Sequence, residues 1–530
     1  MSIQSTSQSD VLKCTHSPTA VTPRPTARLF AHLSHFLKAH GFGWAVYLTL
    51  FLVFVAITLS LSPLQSKTAV IMPLGLIASW RYGWQTIHFL RAERYKHRVF
   101  PKWRRKADRI AADPASSPEH IGVVITSYRM SAVENFEVYS ALFQELKAFG
   151  APATVVASVT DDGDARLIHQ IFETALMPAQ IDLVTQLQLG TGKRDAMSTA
   201  LRALRVAADT ADGIVILMDG DTVVPRGVFE RTCSFFRLMP DVAALTINNR
   251  AVVRGGSFAR TWYAMRFALR NLYMSSLSLS LRVLCLTGRF SMFRATVAYD
   301  PRFIRRIERD TLNHWRLGQL QMLTGDDKST WYHCLKDGWA MIYLPDTYVT
   351  CLEELPKGGF LTASAKLMQR WFGNMLRNSD RSIALGPKRM GLFTWWCLVD
   401  QRLSMWTSLT GLLFLTFFLV RGELVALPAY LAIIMFTRAI QTLNVAHQGG
   451  IPSPLVPLLL LHQQIIGSLI KIEVLFHLNR QKWTRQDITS GSLSRAGRVH
   501  AMQGDWLKIA VVFVFCSSMI AFAAMTSSHV

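Results

Sequence analysis

Two aspartates one residue apart, Asp219 and Asp221, follow the apolar run Gly213-Ile-Val-Ile-Leu-Met218. Such a run fits an interior parallel strand, and the carboxyl end of a strand is where open α/β sheets bind ligands. Paired hard oxygen ligands suit Mg2+ or Mn2+ carrying a diphosphate; an isolated Asp-x-Asp is equally a solvated turn. Thr126, Ser127 and Tyr128 end one expected strand, and Asp161, Asp162 and Gly163 end the next. Both therefore point into the crevice where a nucleoside would lie, and a carboxylate there can accept hydrogen bonds from a base. Gly190-Thr-Gly-Lys-Arg-Asp195 opens a helix with backbone amides and two cations, a fair neighbourhood for phosphate. Leu187 and Arg194 stand where a Walker A loop needs Gly and Ser or Thr, which counts against an ATPase. Asp326 and Asp327 sit side by side at a helix start, where one could be an ordinary N-cap. Arg370 and Trp371 offer a guanidinium for a diphosphate and an indole face for a sugar ring or base, and the same pair also serves as a lipid anchor.

Periodicity supplies the elements that must position these groups. Strands expected at 122–126, 152–159, 181–186 and 213–218 alternate with helices at 133–149, 165–177 and 193–208. This is a βαβαβαβ order, an α/β nucleotide-binding sheet. Beyond the Asp pair the pattern predicts helix 227–238, strand 242–248, helix 257–276, strand 281–292, helices 303–317 and 329–337, and strand 340–345.

On both sides the chain turns apolar. Residues 1–41, rich in Ser, Thr and Pro, read as a disordered cytoplasmic tail. Residues 42–90 hold two stretches long enough to span, with Arg81 inside the second. The basic run 91–109 places the domain it opens in the cytoplasm, so 91–358 is the expected cytoplasmic α/β domain. Residues 359–403 have the texture of interfacial amphipathic helices, and 404–530 form a C-terminal transmembrane region. Within it 455–478, broken by His462, Gln463, Gln464 and Gly467, is expected to be re-entrant or interfacial. A full crossing there would put the basic 478–508 stretch outside.

Composition agrees with a membrane protein. Hydrophobic residues make up 50% of the chain, and 57 Lys and Arg against 35 Asp and Glu give a formal charge of +22. Cytoplasmic flanks of spanning helices and an anionic substrate account for that excess. No zinc-finger spacing or arginine-rich run suggests nucleic acid. The seven cysteines are scattered without a CxxC, as free thiols in a reducing compartment would be.

In this order and between these flanks, Asp162, Asp219-x-Asp221, Gly325-Asp326-Asp327 and Arg370-Trp371 resemble the motif set of the processive family 2 glycosyltransferases, the class of cellulose, chitin and hyaluronan synthases. The stretches TGKRD, MDGDT, VRGG at Val253–Gly256, LTGDDKSTW, RWFGNMLRN and DQRLSMWTSL are most similar to its alginate-polymerase branch, the mannuronan synthases. The likeness covers residues 43–486. It implies a GT-A type domain, a central mixed and mostly parallel sheet, inserted between transmembrane and interfacial helices of the bacterial inner membrane. The implied reaction is inverting, processive transfer of mannuronate from GDP-mannuronate into β-1,4 polymannuronate, the alginate precursor, which the same chain helps to translocate.

By the same resemblance Asp327 takes the proton from the acceptor 4-hydroxyl, with Asp326 orienting it, and Asp219 and Asp221 hold the divalent cation, Mg2+ or Mn2+. Thr126, Ser127, Asp161, Asp162, Lys193, Arg370 and Trp371 are the expected nucleotide and diphosphate contacts. A uronate donor needs a cation near its carboxylate, for which Lys328, Arg254 and Arg289 are candidates, and Arg81 and Arg438 could line the polymer's path. Residues 479–488, with Trp483 and Arg485, resemble a gating loop. Two departures stand out: Leu367 replaces the Gln of the family's QxxRW, and GDD replaces the TED of cellulose synthases. With no PilZ-like RxxxR and DxSxxG in the chain, the resemblance implies a separate copolymerase subunit carrying the cyclic di-GMP receptor, and periplasmic export proteins as further partners. The alternatives are a hyaluronan-, chitin- or cellulose-type synthase using a UDP-sugar, or a catalytically inactive membrane-anchored nucleotide sensor. The sensor would have no reason to keep both the Asp pair and the GDD.

Overall fold

The computed structural model describes residues 25–61, 64–188, 192–207, 210, 212–482, 489–490 and 495–528. The described residues fall into two units, a helical one up to Val53 and a second from Phe54 onward that holds the sheet.

The α/β part of the second unit is built on ten strands: β1 Ile121–Thr126, β2 Ala153–Val159, β3 Ile181–Leu187, β4 Ile214–Asp219, β5 Thr222–Val223, β6 Val242–Arg254, β7 Phe290–Arg294, β8 Thr311–His314, β9 Gly318–Gln321 and β10 Ala340–Glu354. Eight of them build one sheet in the order β3-β2-β1-β4-β7-β6-β10-β5. β1, β2, β3 and β4 run parallel to one another, as do β6 and β10, while β7 and β5 pair antiparallel. The sheet is thus mixed and mostly parallel, as the resemblance implied. Its central strands are buried on both faces, β2 along its whole length, which is why they read as continuous apolar runs and not as alternation.

Helices cover both faces. Ala132–Phe149, Asp162–Thr174 and Val228–Leu238 pack on one side through Val138, Phe143, Ile168, Phe229 and Phe235. Lys193–Ala207, Pro301–Glu308 and Asp326–Asp337 pack on the other through Leu201, Leu204, Phe303 and Trp331. The start of Ala132–Phe149 is fixed by a capping box, in which Ser131 Oγ accepts from the Glu134 amide and the Glu134 carboxylate accepts from the Ser131 amide.

Several expected elements differ, with β6 and β10 running on to Arg254 and Glu354 past the expected ends at 248 and 345. The strand expected from 281 begins only at Phe290, because the carbonyls of Val283 and Leu284 are bonded by the Trp331 indole and the Lys328 ammonium and not by a ladder. The helix expected over 303–317 stops at Glu308, and the β8–β9 hairpin follows. Between them Asp310 is buried, accepting from Arg381 at 2.6 Å and from Ser329 at 2.5 Å. A carboxylate held that way cannot stay on a solvent-facing helix.

Among the described residues five helical stretches are long and apolar enough to cross a membrane: Ala39–Ser60, Leu392–Val420, Ala426–His447, Leu455–Phe476 and Met502–Met525. The first of the C-terminal stretches starts within residues expected to lie at the interface. Leu455–Phe476, expected to be re-entrant or interfacial, is one unbroken helix. Leu64–Arg94, expected as a second span, is a continuous helix of 31 residues outside that set of five; its Arg81 pairs with Asp400 at 2.5 Å. The amphipathic Phe360–Ile383 carries Arg370 and Trp371.

Candidate active site

The carboxyl ends of β1, β2 and β4 open onto a cavity of about 470 Å³. Its wall brings together Asp219, Asp221, Asp326, Asp327, Lys193, Arg370 and Trp371, groups spread over 179 residues of sequence from Lys193 to Trp371. At its centre Lys193 Nζ lies 2.6 Å from Asp219 Oδ1 and 2.7 Å from Asp326 Oδ2. One ammonium therefore ties the aspartate pair after β4 to the carboxylates that open the helix Asp326–Asp337. Two glycines permit this packing. A Cβ on Gly220 would meet Ser127 Oγ at 2.2 Å, and one on Gly288 would come within 3.2 Å of Lys193 Nζ and 3.3 Å of Asp219 Oδ2.

The two adjacent carboxylates are shifted in opposite directions. Burial works against ionising Asp326, but the charges of Lys193 and Arg194 hold its carboxyl below the usual range. Burial and then the neighbouring Asp326 push Asp327 up, with Lys328 and Lys193 opposing. Lys193 is held above the ordinary ammonium range: burial opposes its charge, and Asp219 and Asp326 outweigh that. Asp326 is thus the fixed counter-charge. Asp327, half-buried and facing the cavity, is the member able to exchange a proton.

Arg194, the second cation of the TGKRD stretch, is buried and structural. Its guanidinium donates to the carbonyls of Ile307 and Thr324 at 3.0 Å and to Ser329 Oγ at 2.9 Å, fixing the loop before Asp326. Thr126, Ser127, Ser158 and Thr160 line the cavity where β1 and β2 end. The hydroxyls of Thr126 and Ser158 are buried with no hydrogen-bond partner among the described residues, an arrangement that fits a polar ligand.

The remaining expected residues are less uniform. Asp161 Oδ1 accepts from the Gly163 amide at 2.7 Å and caps the helix Asp162–Thr174, and Asp162 is exposed in its first turn; neither lines the cavity. Arg289 lines it, ion-paired with Glu353. Two donor-carboxylate candidates are drawn elsewhere. Arg254 pairs with Glu134 at 3.0 Å on the surface, and Lys328 donates to the Leu284 carbonyl and lies 4.9 Å over the Trp331 ring. Trp371 lines the cavity as part of a packed wall: its indole stacks on Trp262 at 5.6 Å, with the Arg266 guanidinium 4.3 Å over its ring. Leu367, in the family's Gln position, is buried and also lines the cavity.

Trp483 and Arg485 lie outside the described residues, but the preceding Gln481 does not. Its side chain donates to the Gln321 carbonyl at 2.8 Å and accepts from the Leu323 amide at 3.0 Å, tying the segment after Leu455–Phe476 to the loop before Asp326. Asn374 was equally unforeseen: its Oδ1 accepts from Thr324 at 2.6 Å and from Arg377 at 2.9 Å. Gln481 stands inside the 479–488 stretch and Asn374 inside RWFGNMLRN, so both lay in marked stretches without a role of their own. Arg81 and Arg438 line a different cavity, among the membrane helices.

Residues 118–374 match the family described as Glycosyltransferase like family 2. The "Glycosyltransferase alg8" of Pseudomonas syringae pv. tomato (strain ATCC BAA-871 / DC3000) is 40% identical over 446 residues, 84% of this chain and 90% of that protein. Its namesake from Azotobacter vinelandii is 39% identical over 447 residues, with the same coverage of 84% and 90%. A solved structure, "Mannosyltransferase PcManGT from Pyrobaculum calidifontis in complex with GDP-Man and Mn2+", is 17% identical with a TM-score of 0.39, covering 73% of this chain and 97% of that one.

Proposed function

This chain belongs to glycosyltransferase family 2, among the alg8 glycosyltransferases, and from that premise we propose that it polymerises mannuronate from GDP-mannuronate into β-1,4 polymannuronate and passes the chain across the membrane. The observation that carries the reading is 40% identity along 90% of an alg8 protein. The convergence of Lys193, Asp219, Asp326 and Asp327 on one cavity supports its chemistry.

Asp219 and Asp221 fit a divalent cation: both are hard oxygen donors on the cavity wall, and a glycine at 288 keeps a side chain away from Asp219 Oδ2. When bound, that ion neutralises charge growing on the departing diphosphate. Lys193 and Arg370 act toward the same charge from the protein side. The acceptor 4-hydroxyl loses its proton to Asp327 as its oxygen bonds to the donor's C1 and the C1–diphosphate bond breaks, with GDP leaving. One displacement inverts the anomeric centre, so one base suffices. Of the donor-carboxylate candidates, Arg289 is the one lining the cavity.

The five candidate spans make the chain a membrane protein. The inner membrane, with the α/β domain in the cytoplasm, is the location that the basic run 91–109 favours. Residues 479–488 act as a gating loop anchored through Gln481. A copolymerase subunit with a PilZ-type cyclic di-GMP receptor and periplasmic export proteins are the partners this reading requires. Membranes holding the chain are incubated with GDP-mannuronate, or with UDP-glucuronate, UDP-N-acetylglucosamine or UDP-glucose, with and without chelator. Chelator-sensitive product from GDP-mannuronate, degraded by a mannuronate-specific lyase, is expected; polymer from a UDP-sugar alone overturns the reading.

A further inference from the structure

Outside the active site, two groups of three metal-ligating side chains converge among the described residues: Glu473 with His477 and Asp505, and Glu93 with His97 and His447. The first is already filled, since the Lys508 ammonium lies 2.7 Å from Glu473 Oε2 and 3.0 Å from Asp505 Oδ1. The second is arranged differently. Lys96 takes one oxygen of Glu93, Oε1, at 3.2 Å. The other, Oε2, faces two imidazoles, with His97 Nε2 at 3.1 Å and His447 Nε2 at 3.0 Å. Two nitrogens and one oxygen thus converge, all within 4.8 Å of one another. Ligand atoms around a tetrahedral Zn2+ with arms of about 2.05 Å stand about 3.3 Å apart, so small movements turn this set into a coordination shell.

The elements that carry these groups hold them in place. Glu93 lies in the last turn of Leu64–Arg94, His97 in the five-residue π-helix Tyr95–Val99 that follows, and His447 ends the helix Ala426–His447. A π turn is rare and is found frequently at functional sites. Here it is locked to the sheet, because the buried Tyr95 hydroxyl donates to the Tyr343 carbonyl of β10 at 2.7 Å. The His447 ring packs on Phe89 with centroids 5.7 Å apart, and Lys96 donates to Gln448 Oε1 at 2.9 Å, joining the same two segments a second time. Both imidazoles stay open to solvent, His97 being 68% and His447 48% exposed, so water reaches the remaining coordination position. Imidazole nitrogen favours borderline metals such as Zn2+, whereas the all-oxygen pair Asp219 and Asp221 suits Mg2+ or Mn2+. We propose that Glu93, His97 and His447 form a transition-metal site, a Zn2+ clip that fastens the end of Leu64–Arg94 to the end of Ala426–His447 and is separate from the cation of the reaction.

The test uses the full chain, purified through a tag without histidine, stripped of metal and placed in neutral-lipid nanodiscs with Mg2+ in excess to fill the Asp219 and Asp221 pair. Co2+ is the probe, because its ligand-field absorption reports coordination directly. One equivalent is expected to bind, and Zn2+ to displace it. His97→Gln and His447→Gln should each weaken binding by at least about a hundredfold, the upper end of what losing an outer partner of a ligand costs. His97→Cys should keep the site and add a thiolate-to-Co2+ charge-transfer band, which assigns the ligand and guards against misfolding as the cause of loss. His477→Gln should change nothing. A wild type that gains no such absorption, a signal that survives His97→Gln with His447→Gln, or one that His477→Gln alone removes overturns the proposal. Zn2+ should also raise the unfolding temperature of the wild type and not of the double variant, since an ion held only by the native fold stabilises it. An equal rise in both overturns the clip.

Discussion

The active-site cavity and the membrane cavity sit on opposite faces of the helix Phe360–Ile383 and treat charge in opposite ways. In the active-site cavity two of the cations are matched internally: Lys193 bridges Asp219 and Asp326, and Arg289 pairs with Glu353. In the membrane cavity only Arg81 is matched, leaving Arg438 and Lys471 uncompensated among the described residues. The first pattern is a preorganised electrostatic frame, whose groups are oriented before substrate arrives. The second leaves two cations without an ion pair among the described residues, so the two cavities differ in how their charge is held.

The largest effect expected from that contrast is at the proton acceptor. Asp327→Asn should lower kcat by about 10²–10⁴-fold while donor affinity stays within about twofold, because the amide keeps the shape and loses the base. Single-turnover transfer and calorimetric titration with donor separate the two quantities. Near-normal transfer would remove Asp327 from its role and leave the matched charges without a reaction to serve.

Next in size is the matching itself. Lys193 and Asp326 have side chains only 14% and 8% exposed, so removing one partner strands the other's charge. Lys193→Met should cost about 3–5 kcal/mol of stability. The double variant Lys193→Met with Asp326→Asn should recover much of this in thermal unfolding and recover no activity. A single variant as stable as the wild type would show that the bridge is not what holds the site closed.

The sequence made the frame of this site legible, and long-range pairing decided the rest. The apolar run before Asp219 read as the buried strand it is, and the periodicity over 133–149 marked the helix Ala132–Phe149 closely. The GDD carboxylates and Lys193 were visible as chemistry, but their contact spans 133 residues and no periodicity encodes it. Arg254 and Lys328 looked available as cations because their partners, Glu134 and the Leu284 carbonyl, lie 120 and 44 residues away. The hairpin after Asp310 escaped for the same reason, since Arg381 is 71 residues on. Arg81 and Arg438 do line one cavity, but Arg81 is taken there by Asp400, 319 residues away, a pairing no periodicity encodes.

The smallest effect is also the most diagnostic of how the matched charges work. Asp327 must be ionised to accept a proton, so its raised pKa places the acid limb of kcat above the ordinary carboxylate range. Asp326 raises that pKa and Lys193 lowers it. Asp326→Asn removes a like charge and should move the acid limb to lower pH, whereas Lys193→Met removes an opposite charge and should move it to higher pH. Residual transfer measured across pH, each variant normalised to its own plateau, reads both shifts. Movement in the same direction, or an unmoved limb in both, would mean that the group titrating in kcat is not the carboxylate lying between these two charges. An acid limb set by another group would reduce the frame around Lys193 to a scaffold, because the matched charges would then hold Asp327 in place without tuning it.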